Sequence, residues 1–175
     1  MGPLFLFFVY FFPVILIFIS KHLEMTKFDE AEEKGRSITE RLISGNCLNY
    51  EFQPTNSRID LFVTGFTEKA AVEIKDRERY TSEEIEGFGG MYIKWTKYCS
   101  LTATTLNGYK PIFLTIFKDK ITMWDIANTD ITWEDKYLPN TEVINTGKSI
   151  QKVGYLHVKD AIAVYETENY RTISE

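Results

Sequence analysis

The sequence predicts a single α/β domain, and three observations carry that expectation. Residues 58–63 (Arg-Ile-Asp-Leu-Phe-Val) and 70–75 (Ala-Ala-Val-Glu-Ile-Lys) are rich in β-forming residues, alternate with a period of two and are bounded by turn residues, as strands are. Ahead of them, Phe28, Ala31, Gly35, Ile38 and Leu42 form the apolar stripe of a helix over 27–44. Beyond them, 91–104 reads as a second helix with Tyr92, Trp95, Cys99 and Thr102 on its packed side. Residues 111–117 and 121–126 then read as a strand hairpin about Lys118-Asp119-Lys120.

Element by element, the organisation is that of one core over 25–175, a usual size for a domain. The opening 1–24 is different. Residues 3–20 carry no charge, and their length approaches the roughly 20 apolar residues that span a bilayer. They lack a basic leader and a small-residue cleavage site, so they do not read as a cleaved signal peptide. Two readings stay open: a membrane anchor, with Lys21 and His22 keeping the following domain on the cytoplasmic side, or translated upstream sequence ahead of a start at Met25. The domain is expected in the cytoplasm in either case, free or at the cytoplasmic face of a membrane.

The charges inside the two strand patterns call for a physical reason. Burying a lone carboxylate is costly, so acids beside apolar strand residues are solvated, paired or bound to a metal. With a period of two, Ile59, Leu61 and Val63 share one face and Asp60 points to the other, while Glu73 and Lys75 project together, away from Val72 and Ile74. If the strands are antiparallel neighbours, as the short connection at 64–67 suggests, two carboxylates and an ammonium converge. Such a set can hold Mg²⁺, which takes oxygen ligands, commonly one or two carboxylates with water and phosphate. The plainer alternative is a solvent-facing Glu73–Lys75 pair with Asp60 beside Arg58.

With Asp60 as first acid and Glu73-Ile74-Lys75 as the E-x-K element, the chain resembles the PD-(D/E)XK nuclease superfamily over 35–126. Ile59 stands where the family usually has proline. The resemblance implies a restriction-endonuclease-like α/β core, a mixed central sheet flanked by helices in α-β-β-β-α-β order. It implies a metal-dependent nuclease hydrolysing phosphodiester bonds of nucleic acid, DNA foremost. Asp60 and Glu73 would hold Mg²⁺ or Mn²⁺, and Lys75 would position the attacking water.

Further residues enter through the same resemblance. The family often places a glutamate in the first helix, and Glu40 after Gly35 matches that pattern. On the helical wheel Glu40 falls nearly opposite the apolar stripe, so a third metal ligand and a solvent-facing acid both stand. The second helix can bring a basic residue to the site, and Lys97 is the better match, with Lys94 second. Arg77 and Arg79, just past the E-x-K strand, are candidates to clamp a phosphate or plain surface charges. The competing class is a non-catalytic nucleic-acid-binding or interaction module on the same fold, in which these groups are structural.

The remaining signals narrow the chemistry. A formal charge of −5 argues against sequence-independent coating of nucleic acid and requires a local basic patch. Cys47 and Cys99, with His22 and His157, have no zinc-ligand spacing. Thr81 with Glu84 is a capping-box pattern for a short helix, and Gly87-Phe88-Gly89-Gly90 lacks the lysine of a phosphate-binding loop. Trp124 and Trp133 are expected in the core before a base-stacking role, 153–158 as an edge strand, and the polar tail from Glu166 as frayed.

Overall fold

The computed structural model describes residues 30–44, 46–55, 57–139 and 147–171. The chain divides into two units, Met1–Lys34 and Gly35–Glu175. Of the first, only residues 30–34 are described, and they are helical. The opening 1–24, with its two readings, lies outside the described residues. Among the described residues no helix is long and apolar enough to cross a membrane.

The elements follow in chain order. Helix α1 covers residues 30–43. Then come strands β1 (Asn49–Phe52), β2 (Leu61–Thr64) and β3 (Lys69–Arg77). A crossover follows, made of α2 (Ser82–Gly87), β4 (Met91–Lys94), α3 (Trp95–Thr102) and a 3₁₀ turn over Ala103–Asn107. Strands β5 (Tyr109–Phe117), β6 (Lys120–Asp125), β7 (Thr132–Pro139), β8 (Lys148–Leu156) and β9 (Ala163–Glu166) complete the fold.

Six strands form the main sheet in the order β1-β2-β3-β5-β6-β9. It is mixed: β1, β2 and β3 meander antiparallel, β3 and β5 run parallel, and β6 and β9 return antiparallel. A parallel pair cannot be closed by a tight turn, which is why the β3-to-β5 connection is long enough to carry two helices. Strand β5 is buried on both faces from Pro111 onward and reads as an apolar run interrupted by Thr115, close to the pattern of central parallel strands.

The alternation of side chains splits the core into two layers. Leu61, Val72, Ile112, Leu114, Ile116 and Ile121 pack with Ile38 and Leu42 of α1. Ala71, Phe113, Phe117 and Trp124 face the other way, toward Leu101 of α3 and Met91, Ile93 and Leu156. Each Val, Leu, Ile, Phe or Met among these side chains, taken fully out of water, contributes about 1.5–3 kcal/mol. Glu73 and Lys75 share the face of Ala71, the α3 side.

The structure corrects several sequence expectations. Asp60 does not lie inside a strand: β2 begins at Leu61, and residues 57–60 form a bend. Ile59 therefore packs in the α3 layer while Leu61 packs in the α1 layer, so the two do not share a face. Residues 91–94 are strand, not helix. Gly89 and Gly90, with φ of 99° and 105°, end α2 and turn the chain into β4, where Met91 and Ile93 alternate inward. The helix that remains buries Leu101, not Trp95 or Cys99. Strand β8 is the centre of a second, three-stranded sheet, β4-β8-β7, so 153–158 is no edge. Over the described residues 167–171 the tail is held, with Thr167 buried and its hydroxyl donating to the Phe117 carbonyl oxygen. Other expectations stand on direct contacts: the capping box between Thr81 and Glu84 is formed, and β5 and β6 pair antiparallel across Lys118 and Asp119.

In the second sheet Trp133 lies opposite Gly154. A Cβ there would collide with Ile131 and the Trp133 ring, so only glycine lets the indole lie flat across the ladder. Gly154→Ala is expected to lower stability by about 1–3 kcal/mol through overpacking. Denaturant unfolding reads this directly, and an unchanged midpoint would mean that Ile131 and Trp133 move aside freely.

Candidate active site

The site forms where β2, β3 and α3 meet. Strand register sets it: Leu61 pairs with Val72, so one residue back Asp60 stands across from Glu73, on the same face. Asp60 is fixed by its own backbone and side chain. Its N–H donates to the Val72 carbonyl at 3.2 Å, and its Oδ2 accepts from the Ile74 N–H at 2.7 Å. That side-chain bond explains the bend, because the carboxylate takes a donor that a continuing strand would have used.

Glu73 is fully buried. A bare carboxylate there would be prohibitively costly, and two ammonium groups compensate it. Lys97, in the first turn of α3, donates to Oε2 at 2.9 Å and to the Arg58 carbonyl at 3.2 Å. Lys75 Nζ lies 2.6 Å from Oε1, but off the hydrogen-bonding direction. This oxygen therefore has a counter-charge and no hydrogen bond. Asp60 feels the same cluster: burial, and next the negative charge of Glu73, push its carboxyl up from 3.8 to about 6. The Ile74 N–H, Lys75 and Lys97 oppose the rise.

Asp60, Glu73, Lys75 and Lys97 are thus brought together. Glu40 is not: it is exposed on α1, which packs against the opposite face of the sheet, and it accepts a hydrogen bond from the Tyr50 hydroxyl at 2.6 Å. Lys94 is the N-cap residue of α3, and the ammonium on Glu73 is that of Lys97. Arg77 ends β3 on the face of Glu73, with its guanidinium donating to the Asp76 carbonyl at 2.8 Å. Arg79 is exposed in the turn beyond. Trp124 belongs to the core, its indole N–H donating to the His157 carbonyl.

Two residues escaped the sequence reading. Thr115 sits beside Lys75 in the β3–β5 register, and Thr122 sits beside Thr115 in the next strand. Both are fully buried, and both hydroxyls, like Glu73 Oε1, have no hydrogen-bond partner among the described residues. The three oxygens lie on one face of three neighbouring strands, a polar floor next to the charged cluster. A polar residue at an inward position of the run Pro-Ile-Phe-Leu-Thr-Ile-Phe was the available signal.

A divalent cation fits this donor set. The charge of Glu73 raises the cost of ionising Asp60, a repulsion that a cation would relieve, and Oε1 of Glu73 lacks a hydrogen bond that a cation would replace. Among the described residues no three His, Cys, Asp or Glu side chains are placed to hold a metal, so the pair would act with water and phosphate oxygens, as Mg²⁺ sites do.

Asp60 gives the site a pH signature in metal-free protein. A carboxyl raised in the folded state binds its proton more tightly there than in the unfolded chain. Its contribution to stability is full below about pH 4 and is lost as pH rises through about 6. The melting temperature of the wild type, relative to Asp60→Asn, is expected to rise as pH falls from 7 to 4.5. A constant difference would place Asp60 in water. Compared with protein-family models and with curated proteins, the chain matches none.

Proposed function

We propose that the protein is a metal-dependent nuclease of the PD-(D/E)XK type, hydrolysing phosphodiester bonds, with DNA as substrate. The observation that carries this is Glu73, a carboxylate fully buried in the sheet, beside Asp60 of the bend ahead of β2 and held by ammonium groups from β3 and α3. Purely structural ion pairs rarely justify such a cost, since an apolar replacement of the same shape is commonly as stable or more so. The order of helix α1, the β1-β2-β3 meander, helix α3 and parallel strand β5 also supports the reading of a restriction-endonuclease-like core, with α2 and β4 inserted between β3 and α3.

Asp60 and Glu73 would hold Mg²⁺ or Mn²⁺, which supplies Lewis-acid polarisation of the scissile phosphate. Lys75 reaches the same carboxylate from solvent, its side chain about one-third exposed, so its ammonium can orient a water and stabilise charge on the phosphoryl oxygens. Lys97 holds Glu73 against the Arg58 carbonyl and fixes the carboxylate rotamer. Arg77, two residues past Lys75 on the same face, would meet a flanking phosphate.

A second reading has an observation of its own. Lys75 and Lys97 already neutralise Glu73, which suits a non-catalytic module whose charges are structural. Cleavage of plasmid, linear duplex and single-stranded substrates in Mg²⁺ and Mn²⁺ separates the two. Lys75→Met is expected to reduce the rate at least 100-fold while the fold stays intact, the usual scale for removing a positioned charge or proton-transfer group. Cleavage by Lys75→Met at the wild-type rate, or no cleavage by the wild type on any substrate, would favour the structural module.

A further inference from the structure

The second sheet exposes aromatic rings and lysines that the catalytic cluster does not use. On β7, Trp133, Asp135 and Tyr137 point to one face, and across the ladder they meet Gly154, Lys152 and Ile150. Tyr137 is 67 % exposed and Ile150 74 %, and they are cross-strand partners, so their apolar surfaces adjoin. Trp95, at the start of α3, packs edge-on against Trp133 with ring centroids 4.8 Å apart and is itself 41 % exposed. Lys152 Nζ sits 4.9 Å above the Trp95 ring, and Lys148 Nζ 6.0 Å from that of Tyr137. Among the described residues neither lysine is paired with a carboxylate.

We propose that this strip, running from Trp95 along the β7–β8 hairpin to Tyr137 and Lys148, docks single-stranded DNA and leads it to the Glu73 site. It rests on the nuclease reading for the identity of the substrate. The chemistry chooses the occupant. Protein interfaces are depleted in lysine at their centres, whereas surfaces for single strands interleave ammonium groups for phosphates with aromatic faces for bases. Only an unpaired strand offers base faces to a flat strip, because those of a duplex are buried in its stack. Trp95 has Tyr98 stacked on one face and Lys152 over the other, so base stacking falls to Tyr137 and its neighbour Ile150. Lys152 and Lys148 then serve phosphates.

Helix α3 joins the strip to the chemistry. Trp95 precedes Lys97 by two residues, about 3 Å along the helix axis. One side of the helix meets Trp133, and the other sends Lys97 to Glu73. A strand lying on the hairpin is thereby delivered to the carboxylate pair. The strip also answers the formal charge of −5, because binding rests on local ammonium groups that have no carboxylate partner among the described residues.

The test is fluorescence anisotropy of end-labelled oligo-dT with the full chain in EDTA, so that nothing is cut. Wild type is expected to bind oligo-dT more tightly than a duplex of equal length or oligo-rU. Tyr137→Ala should weaken binding about tenfold. Lys148→Glu and Lys152→Glu should each weaken it and lower the salt slope by about 0.7 or more. Unchanged thermal unfolding in these exposed-site variants excludes misfolding. Binding that ignores all three substitutions, a preference for duplex or RNA, or a Tyr137-dependent dimer in light scattering would overturn the strip. Cleavage without strip-dependent binding sinks the strip alone, and strip-dependent binding by a protein that cleaves nothing sinks only the nuclease reading.

Discussion

The structure depends on one buried charge. Glu73 lies in the middle of β3, between apolar neighbours on a strand that forms the centre of the main sheet, and it has no exposed surface. Its carboxylate is tolerable only because Lys75 on the same strand and Lys97 on α3 bring positive charge to both oxygens. That requirement fixes the position of α3 over the sheet, since Lys97 must reach across while Leu101, one turn on, is buried beneath the same helix. It also constrains the approach to β2, because Lys97 donates to the Arg58 carbonyl just ahead of Asp60. A group this costly, held from two elements beside a second acid, is the observation on which the proposed cation site rests.

The parts of the fold that were legible in the sequence are those where local pattern and tertiary context agree. Val72 and Ile74 against Glu73 and Lys75 gave the correct two faces of β3, because that strand is regular along its length. The capping box at Thr81 and Glu84 is a local device and forms as its spacing demands. Asp60 was expected inside a strand and stands instead in the bend ahead of β2. Its side chain competes with the backbone for the Ile74 N–H, and such local competition leaves no trace in a period-of-two pattern.

The second sheet was the least legible part. Met91-Tyr92-Ile93 precedes a true helix without a break, and its strand state is decided by pairing with Val153 to Leu156, more than fifty residues away. Strand β7 carries Glu134, Asp135 and Lys136 in a row and buries none of them, so it shows neither an apolar run nor alternation. Thr115 and Thr122 were passed over because threonine is an ordinary strand residue; only their shared burial, beside Lys75, gives them meaning. Glu40 had a matching position in the first helix, but the wheel that placed it opposite the apolar stripe was the better guide.

The charged cluster and the aromatic strip ask different things of one helix. Rigid placement of Lys97 serves the carboxylates, while Trp95 and Tyr98 tie the same helix to the β7–β8 hairpin. The central claim concerns the carboxylates, and calorimetric titration of Mn²⁺ into the full chain and into Glu73→Gln addresses it most directly. The account predicts saturable binding by the wild type that is abolished or weakened at least tenfold in Glu73→Gln, with both proteins folded. Equal binding by the two, or none by the wild type, would contradict it and leave Glu73 as a structural ion pair.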